Sequence, residues 1–98
     1  MTAYWLARVT VSDPERFKGY ATRVPHIIAR YGGRYLARAG RSQVLAGSPG
    51  FDRFLVIAFP SFEQALDCYS SAEYQEASSL REGASEVEIV IVDGVPEE

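Results

Sequence analysis

The apolar residues near the start of the chain follow the alternating pattern of a strand. Aromatic and β-branched residues predict that strand from Tyr4 to Val11. Because strand side chains point alternately to opposite faces, the residues divide into two sets. One face carries Trp5, Ala7, Val9 and Val11, and the other carries Tyr4, Leu6, Arg8 and Thr10. Both sets are rich in apolar side chains, so neither face is predicted to be purely solvent-facing.

A helical spacing of apolar residues begins after Asp13-Pro14. Aspartate is a favoured N-cap, and proline is tolerated at the first helical position. The apolar stripe that follows consists of Phe17, Tyr20, Ala21, Val24, Ile27, Ile28 and Tyr31. Pro25 lies inside the helix and is expected to kink or split it. Gly32-Gly33 is expected to end it, because glycine adopts a positive φ without steric cost.

The rest of the chain predicts two extended segments, a broken helix and a last strand. Arg34 to about Ala46 is expected to be extended, with a bulge at Ala39-Gly40 and a turn over 47–50. A strand over Arg53 to Phe59 ends at Pro60, where Ser61 and Gln64 form a capping box. That helix carries an apolar stripe of Phe62, Ala65, Leu66 and Tyr69, breaks at Ser70-Ser71, and continues with Tyr74, Ala77, Leu80 and Arg81 on its inner side. The last strand spans Glu86 to Val92.

The element order β-α-β-β-α-β is that of the α+β ferredoxin-like fold, in which both helices cover one face of an antiparallel sheet. The residues expected to meet the helices are Trp5, Ala7, Val9, Leu55, Ile57 and Ile89. Those expected to point away are Leu6, Phe54, Val56, Val90 and Val92. A monomer rarely leaves so apolar a face in water. We therefore expect a homodimer in which two such faces pack together.

The composition narrows the classes of partner. The 98 residues are expected to form a single domain over 1–98. The net charge of −3 argues against nucleic acid and anionic membrane as partners, since both require a basic surface. No secretion signal or apolar span is evident, so a cytoplasmic location is expected. Cys68 is the only cysteine, which excludes an internal disulfide, and we expect no metal or other cofactor.

Four stretches in order resemble the small bacterial domain-of-unknown-function family 1330. They are residues 3–11 (AYWLARVTV), 31–38 (YGGRYLAR), 59–61 (FPS) and 69–75 (YSSAEYQ). The resemblance implies the dimeric α/β-barrel fold, in which two ferredoxin-like sheets form one barrel, but it implies no particular reaction. The wider superfamily includes cofactor-free monooxygenases, haem-handling proteins, isomerases and ligand-sensing modules. This chain departs from the family pattern at Ala58, where members tend to carry an acidic residue, and at Cys68, where many carry tryptophan.

The most suggestive polar set is Tyr4, Arg8, Arg34 and Arg38. By strand alternation, all four are expected on the sheet face away from the helices, toward the barrel interior. Arginines gathered there would bind an anionic small molecule through charge-assisted hydrogen bonds. Alternatively, they pair with Glu86, Glu88 or carboxylates of a partner chain and only fasten the dimer.

Other polar and aromatic residues are open to two interpretations each. Tyr31 and Tyr69, with Tyr20, Tyr35 and Tyr74, line an aromatic pocket at the helix–sheet junction or pack in the core. Arg81 either reaches a ligand or forms an ion pair at the end of its helix. His26, the only histidine, lies off the apolar stripe, so we expect it to be exposed, and we expect Cys68 to be buried.

These observations predict binding of a small anionic or aromatic metabolite in an Arg/Tyr-lined cavity. The predicted ligand-binding residues are Tyr4, Arg8, Tyr31, Arg34, Arg38 and Tyr69. The alternative is a cofactor-free enzyme, monooxygenase-like or isomerase-like, that uses the same cavity. The sequence identifies no catalytic residue, because no obvious general base accompanies the arginines and tyrosines.

Overall fold

The computed structural model describes residues 1–47 and 50–96. Its elements are β1 (Ala3–Val11), α1 (Pro14–Arg30), β2 (Arg34–Arg38), β3 (Arg53–Phe59), α2 (Phe62–Ser70), α3 (Ala72–Ser78), a single 3₁₀ turn (Ser79–Arg81) and β4 (Ser85–Asp93). The strands form an antiparallel sheet in the order β2-β3-β1-β4, and the helices cover one face. This confirms the ferredoxin-like fold. The predicted turn over 47–50 includes Ser48 and Pro49, which lie outside the described residues.

The helices begin where the capping residues predict. The side chains of Asp13, Ser61 and Ser71 each accept a hydrogen bond from the backbone N–H three residues later, which opens α1, α2 and α3. Of the kink or split expected at Pro25, the split is wrong, because α1 is one continuous helix of 17 residues. Its buried residues lie on both sides of the proline, and their packing offsets the one backbone hydrogen bond that proline cannot make.

Strand β2 is shorter than predicted, and its bulge lies elsewhere. In the register with β3, Tyr35 pairs with Ile57 and Ala37 pairs with Val56, so the extra residue is Leu36 rather than Ala39-Gly40. Ala39 instead takes a positive φ of 54°, which ends the strand. The expected extension to Ala46 is wrong because β3 begins only at Arg53 and leaves those residues no ladder to join.

The core lies between the sheet and the helices, as the assignment of faces predicted. Trp5, Ala7, Val9 and Ile57 are buried on the helix side of the sheet. Val9 packs with Phe17 and Ala84. The other three pack against the buried residues Val24, Ile27, Ile28, Ala65, Cys68, Tyr74 and Ala77. The opposite face, here called the outer face, leaves Leu6, Val90 and Val92 exposed by 41%, 58% and 44%. A row of three aliphatic residues therefore crosses this face where Leu6 pairs in register with Val56 on one side and Val90 on the other.

Helix α2 buries fewer large residues than its apolar stripe predicts. Ala65 and Cys68 are its buried residues, whereas Leu66 remains 44% exposed. Leu66 therefore lies on the outward side of α2, away from the buried Ala65 and Cys68.

The two glycines after α1 have different structural roles. Gly32 has a positive φ of 82°, as expected for a helix end, but Gly33 is required by packing. A Cβ at Gly33 would lie 2.7 Å from Ile28 Cγ2 and 2.8 Å from Phe59 Cε1, both in buried side chains. We expect Gly33→Ala to lower the free energy of unfolding by about 1–3 kcal/mol through overpacking.

Urea denaturation of Gly33→Ala beside Gly40→Ala tests this expectation. No heavy atom lies within 4 Å of a Cβ built at Gly40, so that variant controls for the loss of glycine flexibility alone. Equal stability of the two variants would contradict the packing role.

Candidate functional site

A cleft of about 120 Å³ lies between α1 and the helix-side face of the sheet. Its walls are mainly apolar and include Trp5, Ala7, Phe17, Val24, Leu55 and Ile57. Its polar or charged lining residues are Tyr20, Tyr35, Arg38 and Arg53. An apolar cavity of about 150 Å³ holds benzene, so this volume suits one aromatic ring.

The bulge at Leu36 places Arg38 in this cleft. After the bulge, Arg38 pairs in register with Leu55, which lies on the helix side of the sheet together with Tyr35 and Ile57. The Arg38 guanidinium carbon lies 4.7 Å from the centre of the Tyr35 ring. A guanidinium over an aromatic ring is attracted to the ring face and can still donate hydrogen bonds from its edge.

Arg53 supplies a second positive charge. Its guanidinium carbon lies 5.7 Å from the centre of the Phe17 ring. Over residues 1–47 and 50–96, the salt bridges are Arg8–Glu88 and Arg30–Glu73, so neither Arg38 nor Arg53 has a carboxylate within ion-pair distance there. The cleft therefore combines an apolar interior with two cations that no described carboxylate neutralises.

Two tyrosines and an arginine form a cluster beside the cleft. The hydroxyls of Tyr20 and Tyr74 are 2.7 Å apart, and the Arg81 guanidinium carbon lies 5.2 Å from the centre of the Tyr20 ring. Burial raises the pKa of Tyr20 and of Tyr74, so both remain neutral phenols at neutral pH. The ion pair considered for Arg81 is not formed with any carboxylate among the described residues.

The expectation that Tyr4, Arg8, Arg34 and Arg38 share one face is wrong. The first three lie in outer-face register, but the bulge turns Arg38 to the helix side. Arg8 forms an ion pair with Glu88, its register partner on β4, and stacks 4.7 Å from the centre of the Phe51 ring. This pairing is the alternative that the sequence left open for Arg8.

Ala58 replaces the acidic residue that family members tend to carry, and its position in the sheet shows which neighbour this replacement affects. Ala58 lies between Tyr4 and Arg34 in the register and is buried. An acidic residue there would stand next to Arg34 on the neighbouring strand. With alanine in its place, Arg34 is exposed and no described carboxylate pairs with it.

The tyrosines separate into two groups. Tyr20, Tyr31 and Tyr35 all pack against the core, and of these three Tyr20 and Tyr35 also line the cleft. Tyr69 is 37% exposed and lies 5.8 Å from Trp5 between ring centres, outside the cleft lining. Arg53 was missed by the sequence reasoning, although its alternation with Leu55 and Ile57 was a sufficient signal for its face.

The described residues that line the cleft include no ordinary general base. No His, Asp or Glu is among its described lining residues, and His26 is exposed on α1, as expected. Burial raises the pKa of Tyr35 to about 12, with the charge of Arg38 opposing. Cys68 is fully buried, as expected, and burial raises the pKa of its thiol to about 12. With raised pKa values, Tyr35 and Cys68 stay protonated at neutral pH and are poor proton acceptors.

Stability is expected to fall in alkaline solution because of Tyr35 and Cys68. Their pKa values rise from 10.0 and 9.0 to about 12 on folding, so the unfolded chain loses these protons first. The stabilisation that these two groups provide is complete at pH values below their unfolded pKa values. It is lost as the pH rises toward their folded pKa values of about 12. Urea unfolding at about pH 8 and about pH 11 measures the loss. Tyr35→Phe and Cys68→Ala should each reduce the difference between the two pH values, and an unchanged difference would contradict the assignment.

Among the residues that the structure describes, no three His, Cys, Asp or Glu side chains group together as metal ligands. In that same part of the chain, no helix is both long and apolar enough to cross a membrane.

A family model for a domain of unknown function, DUF1330, matches residues 2–95. The chain belongs to the DUF1330 family. No curated protein matches it significantly in sequence. This assignment confirms the family resemblance and leaves the activity open.

Solved structures share the fold of this DUF1330 protein at low sequence identity. A protein of unknown function from Rhodopseudomonas palustris is 16% identical, with a TM-score of 0.78 over 98% of this chain and 84% of its own. SnoaB, a cofactor-independent oxygenase from Streptomyces nogalater, is 14% identical, with a TM-score of 0.63 over 98% and 95%. A dimeric protein of unknown function and ferredoxin-like fold from Bacteroides fragilis is 12% identical, with a TM-score of 0.60 over 95% and 96%.

Proposed function

We propose that this DUF1330 protein binds a small aromatic, anionic metabolite in the cleft between α1 and the sheet. The observation that carries the proposal is the pair Arg38 and Arg53, two cations that line an apolar cleft of the volume of one ring. The ring of the ligand packs on Trp5, Phe17 and Tyr35, and its anionic group meets the guanidinium groups. Of the predicted ligand-binding residues, Arg38 is the one among the described lining residues of this cleft, which supports giving it this role.

Two physical terms favour such a ligand. Burying a ring against aromatic walls removes apolar surface from water, which is favourable in proportion to the area buried. Each hydrogen bond to a charged group adds about 1.5–3 kcal/mol. An anion without a ring lacks the favourable burial of apolar surface. An uncharged ring lacks the hydrogen bonds between charged groups.

The positions of Arg34 and Arg38 on the same strand provide a matched test. Isothermal titration calorimetry with benzoate measures binding to the unaltered protein and to Arg38→Gln and Arg34→Gln. Loss of one charged hydrogen bond predicts roughly ten- to hundredfold weaker binding for Arg38→Gln. Arg34→Gln removes the same charge on the outer face and should bind like the unaltered protein. Equal affinity of both variants, or no binding of benzoate to any form, would overturn the proposal.

A cofactor-independent oxygenase that uses this cleft is the second candidate, because SnoaB carries that description and shares the fold. A balanced reaction of this kind converts a phenol and O₂ into a quinone and water. The cleft lacks a described carboxylate or imidazole to take the phenolic proton, which ranks this reaction, and any base-dependent isomerisation, below binding. Oxygen uptake with 1-naphthol tests it, and uptake that Arg38→Gln abolishes and Arg34→Gln preserves would raise catalysis to first place.

We also propose that the protein is a cytoplasmic homodimer in which the outer faces of two sheets pack together. The exposed aliphatic row through Leu6 supports this arrangement, and the Bacteroides fragilis protein of the same fold is described as dimeric. Tyr4, Arg8 and Arg34 then lie at the interface instead of on a ligand. Native mass spectrometry should give the mass of two chains, and a mass of one chain at micromolar concentration would contradict the proposal.

A further inference from the structure

Tyr20 links the cleft to the tyrosine–arginine cluster beside it. It lines the cleft, and its hydroxyl is hydrogen-bonded to that of Tyr74. Tyr74 is fully buried and does not line the cleft. The Nε atom of Arg81 is buried and has no hydrogen-bond partner in the described chain. This end of the cleft is therefore rich in polar hydrogens and poor in acceptors.

The donors and acceptors in this cluster determine which hydroxyl proton is available to a ligand. A guanidinium only donates, and each phenol both donates and accepts, so the phenol oxygens are the only acceptors in this cluster. One hydroxyl donates to the other across the 2.7 Å contact. The contact itself allows either hydroxyl to donate, and we assign Tyr74 as the donor because a fully buried hydroxyl is expected to use its proton within the protein. The Tyr20 hydroxyl then accepts from Tyr74 and keeps its own proton.

The charge near Tyr20 determines which kind of ligand atom can accept a hydrogen bond from the Tyr20 hydroxyl. Arg81 lies against the Tyr20 ring, and no described carboxylate forms a salt bridge with it. A positive charge beside a phenol strengthens the phenol as a donor and disfavours cationic ligands. An oxygen that carries a lone pair, neutral or partly negative, is the acceptor that fits.

We propose that the Tyr20 hydroxyl donates a hydrogen bond to a second oxygen of the ligand, so that the preferred ligand is an aromatic acid with an additional ring oxygen. Arg38 and Arg53 bind its acidic group, and Tyr20 binds the added hydroxyl or carbonyl oxygen. Tyr74 donates to the Tyr20 oxygen and Arg81 lies against the Tyr20 ring, so the Tyr20 proton is left for the ligand. The inference rests on the proposed binding function and narrows its ligand class.

The test compares ligands that differ by one group. Calorimetry measures the affinity for the 2-, 3- and 4-hydroxybenzoates and for the methylbenzoates of matching shape. In the unaltered protein at least one hydroxybenzoate should bind roughly three- to tenfold more tightly than its methyl counterpart, the usual net worth of one hydrogen bond. If every hydroxybenzoate binds no more tightly than its methyl counterpart, the inference is wrong, whatever the behaviour of any variant.

Single-residue variants identify which side chain causes the tighter binding of the hydroxybenzoates. Tyr20→Phe should remove the hydroxyl preference, so that each hydroxybenzoate binds no more tightly than its methyl counterpart, and far-ultraviolet circular dichroism checks that the variant is folded. Tyr31→Phe, a tyrosine outside the cleft lining, should retain the preference. Tyr74→Phe should retain most of it, because the Tyr20 proton remains free. A complete loss in Tyr74→Phe, or an intact preference in Tyr20→Phe, would overturn the proposed direction of donation.

Failure of the inference and failure of the proposed function give different results. If benzoate binds and depends on Arg38, but the hydroxyl preference is absent, only the role of Tyr20 is wrong. If benzoate does not bind at all, the cleft function itself is wrong.

Discussion

Replacing Trp5 with alanine is expected to lower the free energy of unfolding by about 3–5 kcal/mol, the usual cost of a buried tryptophan. Trp5 is 2% exposed. Its ring lies 5.3 Å from that of Tyr74 and 5.9 Å from that of Phe59, measured between centres. The residue joins the sheet to α2 and α3 and also forms a wall of the cleft. Since single domains are stable by only about 5–15 kcal/mol, this one change should remove much of the stability.

Chemical denaturation followed by far-ultraviolet circular dichroism measures the change, and Leu66→Ala serves as the control. Leu66 is a large apolar residue that remains largely exposed on α2, so its truncation should cost roughly 1 kcal/mol or less. A cost for Trp5→Ala as small as that of Leu66→Ala would mean that the aromatic cluster does not carry the stability assigned to it.

Leu6→Asp is expected to convert a dimer into a monomer. Leu6 is at the middle of the outer face, between Val56 and Val90 in the register. In a symmetric dimer each subunit would bury a new carboxylate against apolar side chains. An uncompensated buried charge costs about 3–5 kcal/mol, so the dissociation constant should rise at least roughly 100-fold.

Sedimentation velocity over a range of concentrations gives the dissociation constant. Leu66→Asp is the matched control, because it introduces the same charge at another exposed leucine, on the helix layer. It should sediment like the unaltered protein. Equal behaviour of Leu6→Asp and Leu66→Asp would show that the outer face is not the interface.

Much of the fold followed from local signals. Asp13, Ser61 and Ser71 predicted the helix starts because a capping side chain acts on the backbone three residues away. Alternation along β1 predicted which residues are buried, because side-chain direction in a regular strand depends only on position. Neither inference required knowledge of distant contacts.

The candidate site followed only in part. Arg38 belonged to the predicted ligand-binding set, but on the wrong face, and Arg53 was missed. The direction of Arg38 depends on the bulge at Leu36, which exists because of the way β2 aligns with β3. The role of Gly33 likewise depends on the Ile28 and Phe59 side chains that surround it. Strand register and core packing involve residues far apart in the chain, so a local pattern does not specify them.

The sequence by itself determined the element order, the helix caps, the two apolar sheet faces and the burial of Cys68. Each of these depends on the chemistry and spacing of neighbouring residues. The tertiary structure decided which arginines share the cleft, how much space separates α1 from the sheet, and that α1 continues through Pro25. These depend on how distant segments pack, because packing offsets a lost backbone hydrogen bond and a single bulged residue reverses every side chain after it.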